Sequence, residues 1–232
     1  MSTDTRLHAL VRDGFTDGAR YDKHRPTYTD ESITWVLRKL STNFEGLHED
    51  DLSSSECDIL ELGAGTGLFT KSLSKMIPEG IVAAQSFHWF ANEKALSEML
   101  RVLKPRGNIV LIWNIEDRRT DWVKALREVY NRRELIPETV SYYTFKWKEV
   151  LNNDGGIAHQ ESKTLDYPSQ GYTADGIVEM YSTLSGITQM SPDDKQCILA
   201  ELRDLLRTHP DTAGKETLYL PRYTDLEHYI KL

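Results

Sequence analysis

Apolar residues along this chain keep two different spacings, and the alternation between them predicts the elements. Ile33, Val36, Leu37 and Leu40 recur at i, i+3, i+4 and i+7, which predicts an amphipathic helix over Asp30–Leu40. The polar tract Ser41–Ser55, with its HEDDLSSSE run, reads as an exposed connection. Cys57–Leu62 (CDILEL) is a short apolar strand that runs into the glycine-rich turn GAGTG. Leu68, Phe69, Leu73 and Ile77 return to helical spacing, and Pro78-Glu79-Gly80 ends that helix. A second strand, Ile81–Ala84, leads into the loop QSFHWF. Asn92–Leu103 reads as a helix with Ala95, Leu96, Met99, Leu100 and Leu103 on one face, broken by Pro105 and Gly107 before a third strand, Asn108–Trp113. Strand, helix, strand, helix, strand is the texture of a parallel α/β sheet. Beyond Asp117 the pattern loosens, with helices over Thr120–Leu135, Thr173–Leu184 and Pro192–Thr208 and weaker strands over Ile157–Leu165 and Glu216–Leu220.

Composition narrows the class without changing that architecture. The 232 residues suffice for one domain with a sizeable core. Lys and Arg number 28 against 36 Asp and Glu, and the formal net charge of −8 argues against a chain built to grip nucleic-acid phosphates or an anionic membrane. Apolar runs such as Ile109–Trp113 are too short to span a bilayer, and the opening MSTDTRLHALVRDGF holds no apolar secretory core. Cys57 and Cys197 imply no disulfide framework, which makes a reducing cytoplasmic setting the expectation. The seven histidines lack metal-ligand spacing, so no metal site is expected.

The sharpest chemical feature is Glu61-Leu-Gly63-Ala-Gly65-Thr-Gly67, set between a strand and a helix. Glycines there permit a tight turn and a close approach of ligand to main chain, next to the free N–H groups of a helix start. Many αβ loops carry glycine for geometry alone, but the preceding apolar strand, the acid at its end and the amphipathic helix that follows favour a binding role. The G-x-G-x-G spacing departs from the G-x-x-G ending of dinucleotide folds, which disfavours a dehydrogenase. Gly65-Thr-Gly-Leu-Phe-Thr70-Lys71-Ser72 misses the phosphate loop of NTPases, because Thr70 stands where that loop needs glycine.

E-x-G-x-G-x-G resembles the nucleoside-binding turn of class I S-adenosylmethionine-dependent methyltransferases. IVAAQSFHWF and ALSEMLRVLKPRGNIVLIW resemble the fourth and fifth strands of the small-molecule branch, with the intervening helix, and are most similar to the type 11 or trans-aconitate-methyltransferase-like group. Tyr21-Asp22-x-x-Arg25-Pro26-x-Tyr28 and Leu220-Pro221-x-Tyr223-Thr224 resemble that group's Y-D-x-x-R-P and L-P-Y-x-T segments, so the likeness runs from about Phe15 to the last residue. It implies a Rossmann-like α/β fold with a mostly parallel sheet, S-adenosylmethionine as cofactor and a small-molecule methyl acceptor. Residues 1–232 would form a single methyltransferase domain, with 1–55 as lid and helix, 56–117 as cofactor-binding core and 118–232 as closing helices and strands. A nucleic-acid methyltransferase is disfavoured by the charge and by the lack of an Asn-Pro-Pro-Tyr-like tetrapeptide after strand four.

The resemblance assigns Gly63, Gly65 and Gly67 to the cofactor's sugar and amino-acid portions and Glu61 to the methionine ammonium group. Tyr21 and Arg25 fall in a lid, where a guanidinium can pair with the methionine carboxylate. Gln85, His88 and Trp89 follow strand four at the sheet's carboxyl edge, the ligand side of open α/β folds. His88 is either a general base for the acceptor or a residue that shapes the loop. The shaping role is favoured, because a sulfonium is already an activated electrophile and an ionised carboxylate needs only placement and desolvation. Trp89, Trp113, Tyr142 and Tyr143 are candidates for an acceptor pocket, although aromatic residues at strand ends more often belong to the core or rim.

One part of the family pattern is missing. Gly67 and Ile81 are separated by only 13 residues, enough for one helix and a turn. Strands two and three of the complete fold therefore have no counterpart, since even one βαβ unit takes about 30 residues. With them go the acid that holds the ribose hydroxyls and the wall that frames the adenine. Strand one should become an edge or carry an exposed apolar flank. In the complete fold strand four lies on the opposite side of strand one from strand two, so a direct link from the first helix to strand four would be left-handed. Either Ile81–Ala84 takes strand two's place, or the helix changes face, or the segment is poorly ordered. The shortfall makes a truncated isoform or an imperfect gene model of a methyltransferase the expectation, with weakened cofactor affinity. A catalytically impaired binding or regulatory module is the alternative.

Overall fold

A computed structural model describes residues 22–40, 59–65, 69, 80–132 and 141–232. The expected helix over Leu68–Ile77 lies outside them, apart from the buried Phe69, as do Tyr21, Gly67 and Cys57. Two compact units divide the chain, one within Met1–Pro26, Ile115–Pro137 and Tyr167–Tyr223, the other within Thr27–Asn114, Glu138–Asp166 and Thr224–Leu232.

The second unit carries most of a five-stranded sheet. In chain order its elements are α1 (Asp30–Leu40), β1 (Ile59–Glu61), β2 (Gly80–Ala84), α2 (Glu93–Val102), β3 (Asn108–Glu116), α4 (Lys146–Asn152), β4 (Ile157–Asp166) and β7 (Arg222–Lys231). The sheet order is β1-β2-β3-β7-β4. β1, β2 and β3 run parallel, with Ile59 opposite Gly80 and Gly80 opposite Asn108. β7 runs antiparallel to both neighbours. Lys231 N–H donates to Gly107 and Asp117 N–H to Pro221 along β3, while Leu232 N–H donates to Gly156 and Tyr167 N–H to Arg222 along β4. Ile81–Ala84 therefore lies between β1 and β3, which rules out the alternative that put it in strand two's place. Among the described residues nothing pairs with the outer side of β1, and Leu60 on that strand is 45% exposed.

Local chemistry accounts for the helices of this unit. Thr29 caps α1 through its hydroxyl to Ser32 N–H at 3.1 Å, and the four residues read from spacing, Ile33, Val36, Leu37 and Leu40, are all buried. They pack with Val82, Val110, Ile112 and Leu226 of the sheet. Asn92 caps α2 by accepting from Ala95 N–H at 2.9 Å. That helix stops at the Pro105–Gly107 turn, where Arg106 takes a left-handed backbone.

The first unit is helical. It holds α3 (Asp121–Asn131), α5 (Ala174–Ser182), α6 (Ser185–Thr188), α7 (Pro192–Thr208) and a two-stranded pair, β5 (Gly171–Tyr172) with β6 (Leu218–Tyr219). Trp122, Leu126, Ile177, Tyr181, Ile198 and Leu202 form its core. Inside it, the buried Glu116 accepts from Arg127 Nε at 2.6 Å and from the Tyr181 hydroxyl at 2.9 Å. Burial alone would raise the Glu116 pKa, but the Arg127 and Arg222 guanidiniums and these hydrogen bonds more than offset it, so the carboxyl ends below its usual range.

The last long strand is the main departure from expectation. Glu216–Leu220 contributes only Leu218–Tyr219, whereas β7 supplies ten residues to the interior of the sheet. Polar Thr224, Glu227 and His228 are buried in it on both faces beside Leu226 and Tyr229, so no apolar alternation marks it.

Candidate functional site

The carboxyl ends of β1 and β2 build the site in the second unit. After Glu61 the chain turns through Leu62-Gly63-Ala64-Gly65, with φ +72° at Gly63 and +56° at Gly65. Leu62 N–H donates to Val82 carbonyl at 2.8 Å, and Ser86 Oγ donates to Leu62 carbonyl at 2.6 Å. These two bonds tie the turn to β2 and to the loop that follows it. A Cβ at Gly63 would meet Ser86 Cβ at 2.8 Å, so this position demands glycine for space as well as for conformation. Gly65 has room, its nearest neighbour being Gly63 carbonyl at 3.9 Å, and needs glycine only for its left-handed backbone.

Gln85 is a non-glycine residue in the same region, at φ +54°. Such a backbone costs about 1–2 kcal/mol and persists where the surroundings enforce it. Here Gln85 N–H donates to Ile112 carbonyl at 2.8 Å and its side-chain Nε2 donates to Asn114 carbonyl at 3.0 Å. Among the described residues the carboxamide oxygen of Gln85 then has no protein partner. Asn114 joins three more pieces, donating from Nδ2 to Thr27 carbonyl at 3.0 Å and accepting at Oδ1 from Thr224 Oγ1 at 2.8 Å. Ser86, Asn114 and Thr224 thus frame the site and had no role assigned from sequence. Ser86 and Thr224 sat in segments that carried a signal, the QSFHWF loop and the L-P-x-Y-T stretch, whereas Asn114 did not.

His88 is half-buried, in the 3₁₀ turn Phe87–Trp89. Trp113 Nε1–H donates to His88 Nδ1 at 3.0 Å, and the ring packs against Trp89 and Tyr142 at centroid distances of 5.3 and 6.5 Å. Burial lowers its pKa to about 3, so the imidazole is neutral near pH 7. Trp113 is fully buried and stacks obliquely on Trp147 at 4.5 Å. Tyr142 is buried too, with Trp147 Nε1–H donating to its carbonyl at 3.0 Å and its own hydroxyl donating to Asp225. Burial, reinforced by the charge of Glu227, raises the Asp225 pKa despite the Tyr142 hydrogen bond. Tyr143 is half-buried and packs edge-on to Tyr142 at 5.4 Å, and Trp89 is half-buried beside His88.

Of the residues singled out in the sequence, Glu61, Gly63, Gly65, Gln85, His88, Trp89, Trp113, Tyr142 and Tyr143 all lie in this unit. Arg25 belongs to the other, where its Nη2 donates to Thr183 carbonyl at 3.4 Å. Among the described residues no group of His, Cys, Asp and Glu could hold a metal ion, and no helix is long and apolar enough to cross a membrane. The turn at Gly63 and Gly65 is exposed and free of side chains, which leaves its backbone open to a ligand. No described strand beyond β1 offers a carboxylate for the ribose.

No family model matches the chain. It is 26% identical to an uncharacterised methyltransferase-like protein of Schizosaccharomyces pombe over 246 aligned positions, which take in 88% of this chain and 90% of the relative. With an uncharacterised methyltransferase of Mycobacterium tuberculosis it shares 24% identity over 253 positions, 88% and 89% of the two chains. Both alignments are longer than the chain itself although they use only part of it, so the relatives hold residues without counterparts here. A solved structure assigned as a type II methyltransferase of Anaeromyxobacter dehalogenans superposes with a TM-score of 0.58 at 16% identity, covering 89% of this chain and 96% of the other. The fold is accordingly the Rossmann-like α/β fold of methyltransferases.

Proposed function

We propose that this chain is an S-adenosylmethionine-dependent methyltransferase for a small-molecule acceptor, with cofactor affinity weakened by the loss of strands two and three. The observation that carries the reading is the Gly63–Gly65 turn at the carboxyl end of β1, locked against Ser86 of the loop after β2. Gly63, Gly65, Gln85 and Glu61 would receive the methionine end of the cofactor, with Gly67 as a further contact. The bound cofactor would supply an electrophilic methyl group on a sulfonium. This chain's own part is to orient the acceptor and exclude water around that methyl. Trp89, Trp113, Tyr142 and Tyr143 are the proposed apolar surroundings. The formal charge of −8 and the two cysteines support a cytoplasmic protein that takes neither nucleic acid nor membrane as partner.

The exposed flank of β1 favours one second reading, a catalytically impaired relative that binds without turnover. Incubation with S-adenosylmethionine and a metabolite extract separates the two. Release of S-adenosylhomocysteine that depends on the extract and disappears in Gly63→Val supports the enzyme. Saturable cofactor binding without any release supports the binding module, and neither signal at millimolar cofactor removes both.

A further inference from the structure

The loop after β2 holds a polar atom whose state is set by the core beneath it. An indole N–H can only donate, so the Trp113 contact at 3.0 Å requires a lone pair on His88 Nδ1. A neutral imidazole has one lone-pair nitrogen and one N–H, which places the proton on Nε2. Among the described residues that Nε2–H has no protein partner. The indole enforcing this tautomer cannot swing away, because Trp113 is fully buried and packed on Trp147 and Tyr142. Ser86 anchors the same loop to the glycine turn, so the donor is held beside the site rather than on a free segment.

We infer that His88 is a fixed N–H donor for an oxygen of the methyl acceptor and not a general base, and that Trp113 is the positioning residue which fixes its tautomer. A base must offer a lone pair, and the only one His88 has is engaged by Trp113. The chemistry does not ask for another. An acceptor oxygen forms the new O–C bond, the S–C bond breaks with its electron pair left on sulfur, and the oxygen's negative charge and the sulfonium's positive charge cancel with no proton moved. A neutral amine acceptor has a single lone pair, which the new N–C bond uses, so towards the His88 donor it would turn only its own N–H groups. The polarity of the loop thus selects acceptors that present an oxygen lone pair. This rests on the methyl-transfer reading above.

Nitrogen-15 NMR of the full chain with labelled histidine reads the tautomer without any turnover. The expected result is the Nε2–H form in the wild type and a mixture of both forms in Trp113→Phe, checked for folding by circular dichroism. An Nδ1–H form in the wild type would overturn the inference. The second arm compares His88→Gln, which keeps an amide N–H donor, with His88→Phe, which has none. A donor role predicts that Gln retains turnover within about tenfold while Phe loses it by roughly a hundredfold. Equal losses in both variants, of the ~10²–10⁴-fold size expected for a missing base, contradict it. A wild type with the expected tautomer but no methyl transfer under any acceptor overturns the functional assignment of the donor together with the methyltransferase reading, and leaves the tautomer assignment standing.

Discussion

The two edges of the sheet are built differently. β4 is ten residues long, and His159, Gln160, Glu161, Ser162, Lys163 and Thr164 run along it. Several of its polar groups are paired. Lys39 pairs with Glu161 at 2.5 Å, and the buried Glu227 of neighbouring β7 accepts from Lys148, from Ser162 at 2.6 Å and meets His159 at 3.0 Å. This is how a native edge avoids pairing with other chains. β1 has three residues, and its Leu60 is exposed. One edge is a designed boundary, whereas the other has the composition of an interior strand left on the outside. On the proposed reading, the ribose and adenine ends of the cofactor would need support on the β1 side.

The strongest way to sharpen the contrast is to supply what β1 lacks. Inserting an acid-ended strand–helix–strand block between Ile77 and Ile81 should tighten S-adenosylmethionine binding by roughly 10–100-fold, the worth of one or two charged hydrogen bonds to ribose. Calorimetry checks it, and an unchanged affinity would place the weakness elsewhere. Next in size is Gly63→Ala. The left-handed backbone alone should lower stability by about 1–2 kcal/mol, and the Ser86 clash adds to it. Gly214→Ala, with φ +74° and nothing within 4 Å, is the control that carries the backbone penalty alone. Thermal unfolding should rank Gly63→Ala below Gly214→Ala, and only the former should lose cofactor binding.

Acid should act through histidines whose pKa the fold lowers. His228 Nε2 meets Asn108 Oδ1 at 2.9 Å, its Nδ1 is buried without a partner, and burial with the nearby Lys39 lowers its pKa to about 4. A histidine depressed in the fold takes up its proton more readily when unfolded. Its contribution is therefore complete above pH 6.5, falls by up to about 1.4 kcal/mol per pH unit below that, and levels off under pH 4. His88 behaves alike down to pH 3. Urea melts at pH 7 and pH 5 should show a loss that His228→Asn reduces, and an equal loss in the variant would assign the acid sensitivity to other groups. The smallest effect concerns the edges themselves. Leu60→Lys should change stability by less than about 0.5 kcal/mol yet reduce self-association in sedimentation, while Lys163→Val on β4 should increase it.

Much of this was legible beforehand, for reasons that differ by element. α1, β2, α2 and β3 bury runs whose spacing matches their secondary structure, and the glycine turn stands out because two of its positions need left-handed backbone. β7 escaped because its buried positions carry Arg222, Thr224, Glu227 and His228, each hydrogen-bonded to a distant residue such as Tyr172, Asn114, Lys148 or Asn108. Periodicity cannot detect a strand whose buried positions mix polar and apolar residues. The roles of Ser86 and Asn114 were hidden likewise, since their hydrogen bonds reach 24 and 110 positions along the chain. His88 stood out by type, but the indole that fixes its proton is 25 positions away.

Isothermal titration of the 232-residue chain with S-adenosylmethionine tests the central claim most directly. A site with an intact methionine end and no ribose support should give saturable binding that Gly63→Val abolishes, with a Kd above about 100 μM. A low-micromolar Kd for the unaltered chain would contradict it.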